Sequence, residues 1–197
     1  MRGPASLPPF LLYFHTLRYL KLSQILARLR FRFSRPTPNL RPAPALRPVS
    51  GGWICCSRKP SMLGPVRFCF LSVERELTTP TAWNCPEWPK LWLYNLHYFD
   101  DLNAEGATAR ANWHRALIAR WIDENPPAVG NGWEPYPASL RIVNWVKWSL
   151  TGNPLENGWL QSLAIQARWL RRRLEWHLLG NHLFANAKAL VFAGVYF

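Results

Sequence analysis

An amide and an imidazole stand side by side in L-L-G-N-H-L-F-A, residues 178–185, where two helices are predicted to meet. A helical pattern of apolar residues, Leu163–His177, precedes this segment. An almost wholly apolar run, Leu183–Phe197, follows it and predicts a helix that is buried on nearly all sides. Asn181 and His182 would then be held at the start of a buried helix, where they could orient a carboxylate or carry protons.

A purely structural interpretation of the same residues is available. Asn181 could cap the following helix, and His182 could be an ordinary residue of its first turn. Gly180 suits the end of the preceding helix, where a left-handed residue is often needed. This interpretation is preferred unless other parts of the chain support chemistry at this point.

Two further blocks upstream are also long and rich in Trp and Asn. They read W-L-Y-N-L-H-Y-F-D (residues 92–100) and G-W-E-P-Y-P-A-S-L-R-I-V-N-W (residues 132–145). Together with R-L-E-W-H-L-L-G-N-H-L-F-A-N-A-K-A-L (residues 173–190), they resemble the heparinase II/III family of bacterial polysaccharide lyases. The similarity is to the N-terminal helical domain of that family, the heparin-sulfate lyase N-terminal-like domain, and covers about residues 68–197.

The resemblance implies a lyase that cleaves a uronic-acid-containing polysaccharide by β-elimination. In such lyases an Asn that matches Asn181 neutralises the uronate carboxylate, so that charge building there is stabilised. The base and the acid, a Tyr and a His, are supplied later in the chain, and we expect them beyond Phe197. The 197 residues are therefore expected to be an N-terminal portion that is inactive alone and needs the rest of its own chain as a partner. No cofactor or metal is expected.

Residues 132–148 supply the next candidates for substrate contact. Arg141, Asn144 and Trp148 share one helix face at i, i+3 and i+7. Arg141 could hold a carboxylate or a sulfate, Asn144 could bond hydroxyls and Trp148 could stack on a sugar. The alternative is an ordinary polar helix side with the Trp half buried.

Four other residues are predicted to contact substrate, together with His182. Glu134 and Tyr136 lie in a Pro-bounded turn at the start of that helix, and His97 and Tyr98 could line a groove. The chain contains twelve Trp residues, which suits sugar stacking, although we expect most of them to fill the core.

The positive charge is concentrated in the first part of the chain. Residues 1–75 carry thirteen Lys/Arg and one acid, whereas residues 76–197 carry eleven Lys/Arg and ten acids. The spacing of Leu12, Tyr19, Leu22, Leu26, Leu29 and Phe33 predicts a basic amphipathic helix within residues 1–35. We expect it to pack on its own domain with a solvated basic face. Contact of residues 10–35 with an anionic membrane surface ranks second, and no nucleic-acid motif follows.

Residues 36–90 hold ten of the eighteen prolines and predict an irregular connector, with at most a short strand at Val66–Val73. Residues 91–197 predict successive helices joined by short Gly, Pro and Asn turns, which favours antiparallel neighbours. One such helix contains Trp113 and Trp121, and another begins at Ser139. The predicted class is all-α, and the resemblance adds an incomplete α/α toroid.

The cellular compartment is indicated only by the resemblance, which implies the periplasm. The opening M-R-G-P-A-S-L-P-P-F-L-L-Y-F-H has no convincing signal peptide, so a cytoplasmic location stays open. The four cysteines form no C-x-x-C pair and are predicted to be structural thiols.

Three other functions compete with the lyase interpretation. A glycoside hydrolase would need two facing carboxyl groups, for which Glu134 and one of Asp100 or Asp101 are the candidates. A non-catalytic glycan-binding fragment would use the aromatic groove alone. A basic module would bind membrane or nucleic acid through residues 1–75.

Overall fold

The computed structural model describes residues 18–49, 51, 53–54 and 58–197, which hold six α-helices and one two-stranded hairpin. The predicted helical class is confirmed at this level. The elements in chain order are α1 (Leu22–Phe33), β1 (Arg67–Phe70), β2 (Val73–Glu76), α2 (Lys90–Tyr98), α3 (Ala111–Glu124), α4 (Pro135–Leu150), α5 (Asn157–Arg172) and α6 (Gly180–Tyr196). Leu12, Cys55 and Cys56 lie outside the described residues, and Cys69 and Cys85 are free thiols.

Helix α4 lies at the centre of the fold and packs against α2, α5 and α6. It begins at Pro135, not at the predicted Ser139, because proline at the first helical position needs no amide partner and already has a helical φ. Apolar residues on several of its sides, including Ile142 and Trp145, meet these neighbours. Helix α3 covers the predicted Trp113–Trp121 stripe and ends before Asn125.

Tryptophan makes up much of the core. Eight of the twelve Trp side chains are buried, which confirms that most of them are packing residues. Trp121 meets Trp145 edge to face, with ring centroids 5.8 Å apart and an interplanar angle of 89°. That geometry is favourable for the aromatic quadrupoles and fixes α3 against α4.

The Pro-rich region contains more structure than the single short strand predicted. Strands β1 and β2 pair antiparallel, with Phe70 opposite Val73. Leu71 and Ser72 form the turn between them at φ 55° and 62°, as a two-residue hairpin of the I′ type requires. Phe68 is buried in the same core as α4, so residues 60–90 belong to the main fold rather than to a connector.

Residues 36–43 run along α5 and are held by its polar side chains. Arg168 donates to the carbonyls of Arg41 and Pro42, at 2.5 and 2.7 Å. Gln161 accepts a hydrogen bond from the amide of Ala43 at 2.7 Å. Proline has no N–H to donate, so a Pro-rich segment offers mainly carbonyl oxygens, and arginine supplies the matching donors.

The prediction that one helix extends through Leu163–His177 is wrong at its C-terminal end. Helix α5 ends at Arg172, and residues 173–179 form a turn. Gly180 does not end α5; it is the first residue of α6, at φ 52°. Leu179 before it has φ 58° and ψ −154°, a region that L residues rarely occupy. Two successive positive φ values therefore make the corner at which α6 begins.

Helix α6 is buried on one side only, not on nearly all sides as predicted. Ala185, Ala189 and Ala193 face the core, and small side chains there allow close packing on α4. Phe184 and Val195 on its other side are exposed. Both faces of this helix are apolar in sequence, so the sequence does not show which face is exposed.

Helix α1 also differs from its prediction, since its apolar stripe does not pack on the domain. No residue of α1 is fully buried, and Leu22, Leu26, Leu29 and Phe33 are exposed. A different face, which includes Phe31, meets the rest of the protein. Of the helices in the described residues, none has both the length and the apolar character needed to cross a membrane.

Candidate functional site

A cleft of about 620 Å³ lies where α1, the start of α4 and the turn before α6 come together. Its walls combine titratable and cationic side chains with aromatic ones. The lining includes Arg32, Arg35, Tyr94, Trp133, Glu134, Trp169, Arg173, Glu175, His177 and His182. Two of the predicted site residues, Glu134 and His182, are among them.

One wall of the cleft carries a tyrosine paired with a carboxylate. The Tyr94 hydroxyl donates a short hydrogen bond to Glu134, and Lys90 Nζ lies 2.9 Å from the other carboxylate oxygen. Lys90 and Tyr94 reach the same carboxylate because residues four apart share a helix face. Burial raises the pKa of Tyr94, and the bond to Glu134 raises it further. Tyr94 therefore keeps its proton near neutral pH.

Another part of the cleft lining carries a histidine paired with a second carboxylate. His182 Nδ1 lies 3.1 Å from Glu175 Oε1. The buried amide of Asn186 donates to Glu175 Oε2 at 3.1 Å and accepts from the Glu175 amide at 2.8 Å. Asn186 also donates to Ser139 Oγ at 3.0 Å, which ties this wall to α4. Burial raises the pKa of Glu175, while its bonds to Asn186 and His182 oppose that rise.

Two predicted aromatic residues support this histidine. The Tyr136 ring packs on the His182 ring with centroids 4.5 Å apart, and Tyr98 meets Tyr136 at 6.0 Å. Burial raises the pKa of Tyr98, and the nearby Tyr136 adds to the effect. The structure thus places Tyr136 beside His182 and the buried Tyr98 behind Tyr136, although neither tyrosine lines the cleft.

Asn181 is exposed and is the second residue of α6. The N-cap position belongs to Leu179, and no side chain caps this helix end. The structural interpretation of Asn181 as a helix cap is therefore wrong. Its amide is next in sequence to His182 and is open to solvent, but Asn181 is not among the residues that line the cleft.

The cleft has a cationic side supplied by α1 and the end of α5. Arg173 donates to the carbonyls of Phe31 and Ser34, at 2.8 and 2.5 Å, and its guanidinium lies 3.7 Å from the Phe31 ring centroid. Burial lowers the pKa of Arg173, and the charge of Arg35 adds to this. Phe31 and Arg173 also line a second cavity of about 350 Å³, together with Arg30, Arg171 and Arg172. Such a concentration of positive charge favours an anionic ligand.

The prediction that Arg141 contacts substrate is wrong, because its side chain is completely buried. The guanidinium donates to Gln166 Oε1 at 2.9 Å and to the carbonyls of His97 and Gly132 at 3.2 and 2.8 Å. It also lies 3.7 Å from the Trp121 ring centroid. Burial lowers the pKa of Arg141. This arginine joins α2, α4 and α5 in the core.

Four other predicted contacts are also buried, namely Asn144, Trp148, His97 and Tyr98. Asn144 donates to the Tyr98 carbonyl and to Asp100 Oδ1, at 2.8 and 2.7 Å, and Trp148 lies in the core. His97 packs on Trp83 with ring centroids 5.3 Å apart. Arg141, Asn144 and Trp148 do share a helix face, but that face points into the core. These side chains therefore stabilise the packing of the helices and do not contact a ligand.

The carboxylate pair predicted for a glycoside hydrolase is not assembled. Asp101 is buried and accepts hydrogen bonds from the Ser61 and Met62 amides, Arg110 and His114. Burial raises its pKa, but these bonds outweigh burial and hold the pKa at about 2. Asp100 forms an ion pair with Arg58 at 2.6 Å. The carboxylates that do share a cleft are Glu134 and Glu175.

Tyr94, Glu175 and Arg173 line the cleft but were not among the site residues predicted from the sequence. Glu175 and Arg173 lie within the block at residues 173–190, but a helix predicted to run through His177 does not specify how they are placed relative to His182. The turn at residues 173–179 brings Glu175 back to His182. Tyr94 stands four residues before Tyr98, and that helical spacing was the one available signal.

The buried His97 side chain is expected to make the stability of the folded protein fall at acid pH. Its Nδ1 accepts from Trp121 Nε1 and its Nε2 donates to the Trp83 carbonyl, both at 3.0 Å, so the ring is neutral. Burial, followed by the charge of Arg141, lowers its pKa from 6.5 to about 3. The unfolded chain therefore binds a proton first as pH falls, and stability that is present above pH 6.5 is lost on the way to pH 3.

We expect protonation of His97 in the unfolded chain to make the free energy of unfolding, measured by urea titration, about 2 kcal/mol lower at pH 5 than at pH 7.5. His97→Gln should reduce stability at both pH values and remove that part of the difference. An unchanged pH difference in the variant would show that other groups cause the acid sensitivity.

Among the residues that the structure describes, no cluster of three or more His, Cys, Asp or Glu side chains could hold a metal ion. No protein-family model, curated protein or solved structure matches this chain.

Proposed function

We propose that this chain is part of a polysaccharide lyase that cleaves a uronic-acid-containing polysaccharide by β-elimination. The single observation that carries the proposal is the cleft of about 620 Å³, which sets an arginine-rich side beside the Tyr94–Glu134 and His182–Glu175 pairs. An acidic polymer fits the cationic side, and β-elimination needs hydrogen-bond donors and proton carriers next to it. The resemblance of residues 68–197 to heparinase II/III lyases supports the same assignment.

In this proposal, Asn181 donates its amide to the uronate carboxylate. A base removes the proton from the carbon next to that carboxylate, the electron pair forms a carbon–carbon double bond, and the glycosidic oxygen leaves with a proton from an acid. Negative charge builds on the carboxylate during this step, so a fixed donor lowers the barrier. His182 stands beside Asn181, with Nδ1 engaged by Glu175 and Nε2 available to the ligand.

The base is not Tyr94 in this proposal, because burial keeps its proton in place near neutral pH. Tyr94 instead donates its hydroxyl proton to Glu134, and its oxygen can still accept a hydrogen bond from a sugar hydroxyl. The proton-transfer pair, a Tyr and a His, comes from later residues of the same polypeptide, as in the lyases that this chain resembles. Helices α2–α6 would then begin an incomplete α/α toroid, and the enzyme would act in the periplasm.

A glycoside hydrolase is the second candidate, favoured by one observation. Glu134 and Glu175 line the same cleft, and burial raises the pKa of Glu175, as suits a general acid. Hydrolysis and β-elimination leave different products. Only the lyase forms an unsaturated uronate, which absorbs in the ultraviolet, whereas the hydrolase forms a new reducing end without that absorbance.

The first test is binding of heparan sulfate, alginate and hyaluronan to the 197-residue chain, with neutral dextran as the reference polymer. We expect at least one uronate polymer to bind and dextran not to bind. Arg32→Gln with Arg35→Gln should weaken binding about tenfold at low salt, since two exposed cations of the cleft are lost. The charge-matched control is Arg47→Gln with Arg67→Gln, outside the cleft.

The second test is ultraviolet absorbance when the product of the whole reading frame is incubated with the polymer that binds. Growth of the absorbance supports the lyase, and reducing ends without absorbance support the hydrolase. Equal binding of dextran and uronate polymers, or equal losses in the two arginine variants, would contradict the proposal that this cleft takes an acidic glycan.

A further inference from the structure

Helix α1 already uses one of its faces to hold itself on the protein. Phe31 lies against the His177 ring, with centroids 4.4 Å apart, and beneath the Arg173 guanidinium. Gln24 Nε2 donates to the His177 carbonyl at 3.4 Å. These two residues are seven apart, so they share one side of the helix. The position of α1 is thus explained without any contribution from its predicted apolar stripe.

That stripe lies on the opposite side and is open to solvent. Its members are Leu22, Leu26, Leu29 and Phe33, with exposed fractions of 71%, 58%, 50% and 80%. At 100° per residue, the stripe is centred about 180° from the docked face. Four large apolar side chains in one exposed row are unusual on a protein surface and indicate a binding site.

The charges around the stripe are all of one sign. Six cations and no acids occur between residues 18 and 35: Arg18, Lys21, Arg28, Arg30, Arg32 and Arg35. Helical spacing puts Lys21, Arg28 and Arg32 along one edge of the stripe and Arg30 along the other. Long cationic side chains at these edges can extend to a polar, negatively charged layer while the stripe enters an apolar one.

We propose that α1 lies flat on an anionic lipid surface, with the stripe Leu22–Leu26–Leu29–Phe33 inserted among the acyl chains and the flanking cations bound to headgroups. The pattern is that of an interfacial amphipathic helix. Twelve residues of helix extend about 18 Å, well below the roughly 30 Å of a bilayer core, so α1 lies along the surface. A soluble polyanion would use the cations but would leave the stripe uncovered.

This binding does not depend on the proposed lyase activity. It would, however, hold the cleft close to the lipid surface, because Arg32 and Arg35 belong both to the α1 segment and to the cleft wall. The substrate would then be taken up beside a membrane.

The experiment is flotation of the 197-residue chain with vesicles of phosphatidylcholine that contain about one third phosphatidylglycerol, compared with pure phosphatidylcholine. We expect binding to the anionic vesicles to be at least about tenfold stronger. Leu26→Gln with Leu29→Gln should lower that binding at least about tenfold while the thermal unfolding temperature stays the same, since both side chains are exposed.

The matched control is Val191→Gln with Val195→Gln on α6, where exposure is similar at 62% and 69%. We expect this pair to bind vesicles like the parent chain. An equal loss in the control pair would mean general hydrophobic adhesion and would overturn the proposal.

Three other results would also overturn it. The first is that the chain does not bind the anionic vesicles. The second is that the parent and the leucine variant bind them equally, which would mean that α1 binds polyanions through its cations alone. The third is a dimer in lipid-free sedimentation that the same leucine changes dissociate, because a second copy of the chain would then cover the stripe.

Discussion

Arg141→Ala is expected to lower the free energy of unfolding by about 3–5 kcal/mol, a large part of the stability of a domain of this size. The side chain is completely buried and supplies the hydrogen-bond donors for Gln166 Oε1 and for the carbonyls of His97 and Gly132. Alanine would leave these acceptors without that donor in a medium of low dielectric constant and would open a cavity beside Trp121.

The measurement is urea unfolding of both proteins, followed by tryptophan fluorescence. Arg115→Ala is the control, because Arg115 forms an ion pair with Glu156 in which both side chains are exposed, and such pairs contribute about 1 kcal/mol or less. Arg141→Lys should lie between the two, since lysine keeps the charge but loses the planar fork of donors. A loss below about 1 kcal/mol for Arg141→Ala would contradict the assigned structural role.

Asn181→Ala is expected to reduce kcat of the active protein about 10²–10³-fold, equivalent to roughly 2.7–4 kcal/mol, if its amide neutralises the uronate carboxylate. KM should change little, because the interaction strengthens as charge develops in the transition state. Thermal stability should stay the same, since Asn181 is exposed and does not cap α6.

Asn112→Ala on the exposed side of α3 is the matched control for the loss of an amide. Initial rates of ultraviolet absorbance on the best uronate polymer give kcat and KM for each protein. A kcat for Asn181→Ala equal to that of the parent would remove Asn181 from the proposed mechanism, whatever the rest of the cleft does.

The sequence predicts the helices of residues 91–197 well, because their buried stripes recur at helical spacing. Helix α3 follows Trp113 and Trp121 and stops before a double proline, as predicted. It was harder to predict which face of a helix is buried. Arg141, Asn144 and Trp148 do share a face, but whether that face is buried depends on neighbouring helices, which periodicity does not specify.

Local turns were the main obstacle to predicting the site. The hairpin turn at Leu71 and Ser72 has neither Asn nor Gly, so no turn signal marks it. The corner at Leu179 likewise places a leucine in a conformation typical of glycine, so no sequence signal marks the position at which α6 begins. Glu134, Tyr136, Tyr98 and His182 were each predicted to contact substrate, but only Glu134 and His182 line the cleft.

The docking of α1 has a consequence for the order of events during synthesis. Its partner Arg173 lies 142 residues after Phe31 along the chain. At about 5–20 residues per second, a ribosome needs roughly 7–28 s to make that stretch. Throughout this interval the nascent chain carries α1 with both apolar sides uncovered, so a lipid surface or a chaperone can meet the helix before its own fold does.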